Sequence, residues 1–205
     1  MTATRVDLVR HGHVENPQRK VYGRLPGWKL SAEGRRQAEA IAAHLRGRPL
    51  VRVYASPLDR AMETAEAVAA ACGVAVSPDP DLIESALGAH WEGMRWSEVR
   101  ATRQRELDAY LHRPHDVDFV DEPFAALGDR MARAIRTIAA RHQGKEVAVV
   151  SHGDPIKAAA CHLTGTAIAD MHSFKIPTGG LLALELDGDA ARIVERWDPP
   201  RMAKS

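Results

Sequence analysis

Val6-Asp7-Leu8-Val9-Arg10-His11-Gly12 joins a short apolar run to an arginine, a histidine and a glycine. The run reads as a strand. A histidine at its end, between Arg10 and Gly12, is poorly suited to core packing but well suited to holding an anion and attacking it. Beyond it, short apolar runs alternate with amphipathic segments. Ser31 can cap a helix carrying Ala38, Ile41, Ala42 and Leu45 on one face. Val51 to Ala55 reads as a second strand, with Ser56 as the next N-cap and Pro57 at the first helical position. That helix buries Leu58, Met62, Ala65, Val68 and Cys72 and stops near Gly73.

A further helix presents Phe124, Leu127, Met131, Ala134, Ile135 and Ile138. Glu146 to Ser151 is a third strand, and Asp154-Pro155 opens a helix that ends at Gly165. Strands alternating with helices of this length predict an α/β fold with a mainly parallel sheet. From Gly179 to Trp197 the pattern changes to two strand-like runs around Asp187-Gly188-Asp189, a hairpin with Asp-Gly as its turn. An antiparallel edge near the C-terminus is therefore expected. No linker or repeat is visible, so one domain over 1–205 is expected, with a disordered tail at about 199–205.

A chain of 205 residues can bury a full core. Hydrophobic residues make up 45% and charged residues 27%, as in soluble globular proteins. Lys+Arg of 28 against Asp+Glu of 27 leaves no overall field favouring nucleic acid or an anionic membrane. No run approaches the roughly 18 apolar residues of a membrane span, and Met1 to Arg5 lead into a strand without a signal-peptide pattern. Cys72 and Cys161 sit on apolar stripes and form no CxxC, so buried free thiols and a cytoplasmic setting are expected.

Ligands of open α/β sheets bind at the carboxyl ends of the strands. Arg10 and His11 follow one strand, and His152, in Ser151-His152-Gly153, follows another. Arg60 lies in the first helical turn after a third strand, where unpaired N–H groups also favour an anion. Four positive groups at one edge suit phosphoryl transfer, which depends chiefly on positioning and on stabilising the non-bridging oxygens. Arg10 and Arg60 can each clamp phosphate oxygens through a planar fork. His11 is the candidate nucleophile, neutral because the arginines lower its pKa, with its second ring nitrogen held by a backbone carbonyl. Gly12 would let the chain pass close to the phosphate.

Glu84, after Leu82-Ile83, is the candidate general acid for the leaving alkoxide and base for the attacking water. Two arginines and a second imidazole could replace the magnesium of kinases. No acidic cluster with metal-ligand spacing lies near them, so no metal or other cofactor is expected. From Ala86 to Pro123, Trp91, Trp96 and Tyr110 are interspersed with Arg95, Arg100, Arg103, Arg105 and Arg113. This region reads either as solvated helix with a few core aromatics or as a lid shaping the pocket.

An ordered set of motifs carries a resemblance. Leu8-Val9-Arg10-His11-Gly12 is followed by Tyr22-Gly23-Arg24 through Leu30-Ser31-Ala32-Glu33-Gly34, then by Ser56-Pro57-Leu58-Asp59-Arg60-Ala61. Leu82-Ile83-Glu84 with Trp91-Glu92-Gly93, and Ser151-His152-Gly153, complete it. The chain resembles the histidine phosphatase superfamily, in its phosphoglycerate mutase-like branch. The resemblance implies an α/β/α sandwich, a phosphohistidine intermediate on His11, a phosphate pocket of Arg10, Arg60 and His152, and Glu84 as proton donor and acceptor. It also implies Asn16 as a phosphate contact, although Asn16 stands five residues after His11 where many members have six. Gly23 and Arg24 would line the substrate side. His13 stands where glutamate is common; two residues from His11 it could form a metal pair, but without further ligands a solvent-exposed or substrate-rim histidine is expected.

The expected function is a metal-independent phosphomonoesterase on a small phosphorylated metabolite, with no nucleic-acid or membrane partner. Phosphoglycerate mutase is the alternative, disfavoured because such mutases tend to be longer and to carry an insertion over the pocket. A catalytically silent binding module would predict loss of His11 or Glu84, and both are present. The leaving group is not legible in the sequence, and a homodimer is left open.

Overall fold

The computed structural model describes residues 2–85 and 88–200. Its centre is a six-stranded sheet in the order β3-β2-β4-β1-β5-β6. The strands are β1 (Thr4–Arg10), β2 (Leu50–Ala55), β3 (Val76–Pro78), β4 (Glu146–Ser151), β5 (Leu181–Asp187) and β6 (Ala190–Trp197). β3, β2, β4 and β1 run parallel, and β5 pairs antiparallel with β1 and with β6. The mainly parallel α/β architecture with an antiparallel C-terminal edge is thus the observed one. The hairpin turn falls on Gly188-Asp189, one residue beyond the expected position, because Asp187 still pairs with Ala190. β3 has only three residues and carried no readable pattern. Of the tail expected to be disordered, residues 201–205 lie outside the described residues.

Alternation along the sheet sorts the core into two layers. Val147 and Val149 of β4, with Val6 and Leu8 of β1, pack with helices α6 (Phe124–Arg141) and α7 (Gly153–Thr164). Ala148 and Val150, with Val9 and Val53, pack with helices α1 (Ala32–Leu45) and α2 (Asp59–Cys72). Every residue of β4 is buried, as a strand covered on both faces must be. α1 begins where expected: Ser31 Oγ accepts from Gly34 N at 3.0 Å. Phe124, Leu127, Met131, Ala134, Ile135 and Ile138 line the buried face of α6.

α2 departs from expectation. It begins at Asp59 after Leu58, and Ser56 does not cap it. Ser56 is fully buried and its hydroxyl turns to the sheet edge, 2.8 Å from His152 Nε2. Leu58, Met62 and Cys72, expected on the buried face, are half-buried, while Ala61, Ala65, Val68 and Ala69 are buried.

Between α2 and α6 lie the short helices α3 (Gly88–Trp91), α4 (Trp96–Thr102) and α5 (Gln104–His112). Their aromatics form a satellite core. Trp91 is fully buried, stacked on Phe119 at 5.1 Å and edge-on to Tyr110 at 5.7 Å, and its Nε1 donates to Glu106 at 2.8 Å. Arg100, Arg103, Arg105 and Arg113 are exposed, so the solvated-helix reading describes them.

The loop after β1 is fixed by close backbone packing. A Cβ on Gly12 would stand 2.4 Å from Gly34 O, and one on Gly34 would stand 1.9 Å from His13 O. His13 N donates to Gln37 Oε1 at 2.8 Å, and Ser31 N to His13 O at 2.9 Å. The expectation that Gly12 makes room for a phosphate is corrected: its missing side chain makes room for the first turn of α1. In a helix, alanine ordinarily gains about 1 kcal/mol over glycine. Gly34→Ala should have the opposite sign and destabilise by about 1–3 kcal/mol, because two backbones must separate. Urea unfolding of this variant would read the difference, and stability at or above that of the parent would refute the interlock.

Candidate active site

Three parallel strands ending side by side build the site. Arg10 of β1 is in register with Ser151 of β4, and Ala55 of β2 with Val150. The next residues therefore fall in a row, with His152 between His11 and Ser56. His11 N donates to Ser151 O and Ser56 N to Val150 O, both at 3.0 Å. The His11 and His152 rings meet edge to face, with centroids 5.0 Å apart.

His11 is 1% exposed, and its Nδ1 lies 2.8 Å from Gly12 O. A carbonyl can only accept, so Nδ1 carries the proton and Nε2 keeps its lone pair. Burial, then Arg60 and Arg10, hold the ring well below the ordinary histidine pKa. The sequence reading named only the arginines; burial is the larger cause. His152 is likewise held neutral, by burial first and then by Arg60, His11 and Arg10. Its Nε2 meets Ser56 Oγ, and its Nδ1 has no partner among the described residues.

Arg60, 1% exposed, donates from NH2 to Gly23 O at 2.7 Å and stands 4.8 Å over the Tyr22 ring. Arg10 donates from NH1 to Ile176 O at 2.8 Å. The bare face of Gly153 adjoins its guanidinium, 3.2 Å from where a Cβ would be. Nε of each arginine is buried and unpartnered among the described residues. Buried donors almost always have partners, and three unpartnered ones on Arg10, Arg60 and His152 are the chemistry that an oxyanion would satisfy. The N-terminus of α7 opens beside them at Gly153.

Glu84 completes the group. Its Oε2 is 3.7 Å from His152 Nδ1, and its Oε1 accepts from Ser85 N at 2.8 Å. Burial, then the nearby Asp154, push its carboxyl up to about 7, against the pull of Arg60 and Arg10. His11, Glu84 and His152 each offer a ligand-type atom within 4.8 Å of the others. Two nitrogens and a carboxylate suit a zinc-like ion in donor type. Two arginines over the same space repel a dication, so the set fits an oxyanion better.

A cavity of about 230 Å³ continues outward from Arg10 and Glu84, lined by Lys20, Tyr22, Gly23, Trp96, Tyr110, Asp154 and Lys157 among others. Asp154 accepts from Tyr110 OH at 2.8 Å and pairs with Lys157 at 3.4 Å. The sequence reading missed this polar wall because it took Asp154 as a helix opener. Trp96 and Tyr110 line the cavity, whereas none of the five arginines from Arg95 to Arg113 lines it.

The expected substrate-side residues divide. Gly23 lines the cavity, at φ +37, and a Cβ there would meet Glu92 Oε1 at 2.1 Å. Arg24 is not on its wall: its Nε donates to Glu84 O at 2.7 Å and its NH2 to Glu122 at 3.0 Å. Asn16 does not line the cavity either. Its amide closes the turn 16–20, donating to Lys20 O at 2.8 Å and accepting from Lys20 N at 2.9 Å. His13 is exposed, with Nδ1 2.8 Å from Ser31 Oγ. Ser56 and Thr64 were also missed. Thr64, one turn after Arg60, donates to Arg60 O at 2.8 Å and accepts from Gly12 N at 3.1 Å, which ties the loop after β1 to the first turns of α2.

Fold and pocket define an α/β protein with two neutral imidazoles and buried, unpartnered arginine nitrogens at the ends of its parallel strands. Residues 6–199 match the histidine phosphatase superfamily (branch 1), and the chain belongs to that family. An uncharacterized protein of Mycobacterium tuberculosis is 40% identical over 194 residues, covering 91% of this chain and 92% of that one. Phosphoserine phosphatase 1 of Hydrogenobacter thermophilus is 33% identical over 169 residues, 82% of this chain and 79% of that one. Among solved structures, Bacillus stearothermophilus YhfR is 28% identical, with a TM-score of 0.85 over 93% of this chain and 95% of that one.

Ser56→Ala should leave His152 Nε2 buried without a partner and loosen the ring, at a cost of about 1–3 kcal/mol. Inorganic phosphate, titrated calorimetrically, should then bind about tenfold more weakly, the equivalent of about 1.4 kcal/mol. Unchanged affinity would show that Ser56 does not hold His152 for the anion.

Proposed function

We propose a reaction cycle for this histidine phosphatase, a phosphomonoester hydrolase, in which His11 Nε2 attacks the substrate phosphorus. The supporting observation is the one free lone pair of His11 beside three buried, unpartnered donors. Arg10, Arg60 and the Nδ1–H of His152 take the non-bridging oxygens and neutralise the charge that develops on them. Glu84, protonated, gives its proton to the leaving oxygen as the P–O bond breaks. The ionised Glu84 then takes a proton from water, whose oxygen attacks phosphohistidine, and inorganic phosphate leaves with His11 restored.

Hydrolysis rather than transfer between phosphoglycerates is favoured by the wetness of the site. The Glu84 side chain is 16% exposed beside a cavity with charged walls, whereas a mutase must keep water from phosphohistidine. The substrate we propose is a small phosphorylated metabolite whose alcohol carries charge of its own. Lys20, Lys157 and Asp154 on the cavity wall support this, as does the phosphoserine named for the Hydrogenobacter relative. The cycle needs no metal or other cofactor. We read the chain as one domain working in the cytoplasm, with no nucleic-acid or membrane partner; no helix among the described residues is long and apolar enough to cross a membrane.

His11→Ala should release no phosphate from a panel of phosphoserine, phosphoglycerates and sugar phosphates, and retained turnover would remove the nucleophile assignment. In the same panel, phosphoryl transfer between phosphoglycerates exceeding phosphate release would favour the mutase. The pH dependence has a definite sign. His11 must be neutral, which holds down to well below pH 6.5, and Glu84 must be protonated, which fails above about pH 7. So kcat/KM for an alkyl phosphate should fall as pH rises through about 7. Glu84→Gln should lower it by about 10²–10⁴ and abolish that alkaline limb. A limb unchanged in Glu84→Gln would place the proton elsewhere.

A further inference from the structure

Glu84 sits on a stretch with no regular structure. Residues 83–85 follow a single 3₁₀ turn at Pro80–Leu82 and belong to neither helix nor strand. An acid that must meet the leaving oxygen within a few tenths of an ångström needs rigid support, because a 1 Å misplacement can cost about 10²-fold in rate. Here the backbone is gripped by side chains. Arg130 NH1 donates to Asp81 O at 2.6 Å, Ser151 Oγ to Leu82 O at 2.7 Å, both terminal nitrogens of Arg130 to Ile83 O at 3.3 Å, and Arg24 Nε to Glu84 O at 2.7 Å. Four consecutive carbonyls are thus held by donors from distant parts of the chain.

One carboxylate joins the two arginines. Glu122 takes a two-pronged contact from Arg130, Nε at 2.7 Å and NH2 at 2.8 Å, and NH2 of Arg24 at 3.0 Å. A planar guanidinium held on one edge by a carboxylate has its remaining donors aimed in a fixed direction. Burial alone would raise the Glu122 pKa, yet the two arginines hold it below the ordinary range, as expected of a carboxylate committed to both. Arg24 has a further anchor, its backbone N donating to Glu92 Oε1 at 2.7 Å.

We infer that Glu122 is a positioning residue for the reaction: it locks Arg24 and Arg130 onto the carbonyls of residues 81, 83 and 84 and so fixes the Glu84 carboxyl over the phosphoryl pocket. This rests on reading Glu84 as the proton donor. Glu122 lines no part of the cavity at Glu84; its effect passes through the backbone it holds.

The test separates placement of the acid from general damage. Formation of phosphohistidine in a single turnover is measured with an alkyl phosphate, whose alkoxide needs a proton to leave, and with p-nitrophenyl phosphate, whose phenolate does not. Glu122→Gln keeps shape and removes the charge that holds both forks. It should slow phosphorylation by the alkyl phosphate about tenfold, with KM and the p-nitrophenyl phosphate rate within about twofold of the parent. Arg130→Lys, which keeps a charge but loses the fork, should show the same selective loss. Equal losses on both substrates, or no loss on either, would overturn the inference. Glu84→Gln in the same assay keeps the two readings apart. If its loss is not selective for the alkyl phosphate, Glu84 is not the acid; if it is selective and that of Glu122→Gln is not, the clamp alone fails.

Discussion

Parallel pairing of β1 and β2 on either side of β4 is the constraint on which the site depends. Parallel neighbours end at the same edge, and this pairing places the first residue past β4 between those past β1 and β2. His11, the proposed nucleophile, the His152 ring and the Ser56 hydroxyl that meets it come together without a loop having to find its place. Catalytic power here rests on groups fixed before the substrate arrives. The backbone of the sheet therefore does for His11 and His152 what side chains must do for Glu84. The interlock of Gly12 and Gly34 extends this rigidity one residue beyond β1, pressing the loop that carries His11 onto the capped start of α1.

Burial has opposite results on the two sides of the pocket. Taking imidazole and carboxyl out of water disfavours the charged form of each. The arginines add to that effect on His11 and His152 and oppose it on Glu84. The histidines are left neutral far below their ordinary pKa, while Glu84, with Asp154 raising and Arg60 lowering it, comes to rest near neutrality. A neutral imidazole and a protonated carboxyl can then coexist at one pH, as the proposed cycle requires and as a single uniform field would not allow. Asp154 is more than the residue that opens α7: after burial, its charge is the second cause that holds the Glu84 carboxyl up against the pull of Arg60 and Arg10.

Features with local causes were legible in the sequence. Strand ends, the Ser31 cap, the apolar stripe of α6 and the C-terminal hairpin each rest on patterns a few residues long. So does the placement of Arg10, His11, Arg60 and His152 at one edge, since Arg10 ends a strand, His11 and His152 follow one directly and Arg60 lies in the first turn of the helix after β2. What stayed hidden is carried across long separations. Arg24 and Arg130 reach carbonyls 60 and 47 residues away, and no periodicity marks an arginine on the polar side of α6 as different from its solvated neighbours. Ser56 misled because Ser-Pro after a strand is a sound helix start, but its hydroxyl was claimed by a buried ring nitrogen instead. Asn16 fits a motif position, yet its amide has two backbone partners of its own four residues away.

The two halves of the site are therefore built by different means, and this bears on how such a fold accommodates different substrates. The phosphoryl half is tied to strand ends and helix starts, where moving one group disturbs the sheet. The leaving-group half is assembled from the loop at Lys20 to Gly23, the segment carrying Glu84, the aromatics Trp96 and Tyr110, and the first turn of α7 at Asp154 and Lys157. Its walls can be exchanged at the cost of local contacts only, provided Glu84 remains pinned. A clamp that grips the backbone of residues 81–84, and leaves the carboxyl itself to Ser85, separates these requirements. It holds the acid at a fixed height above the phosphate while the residues that read the alcohol remain free to differ.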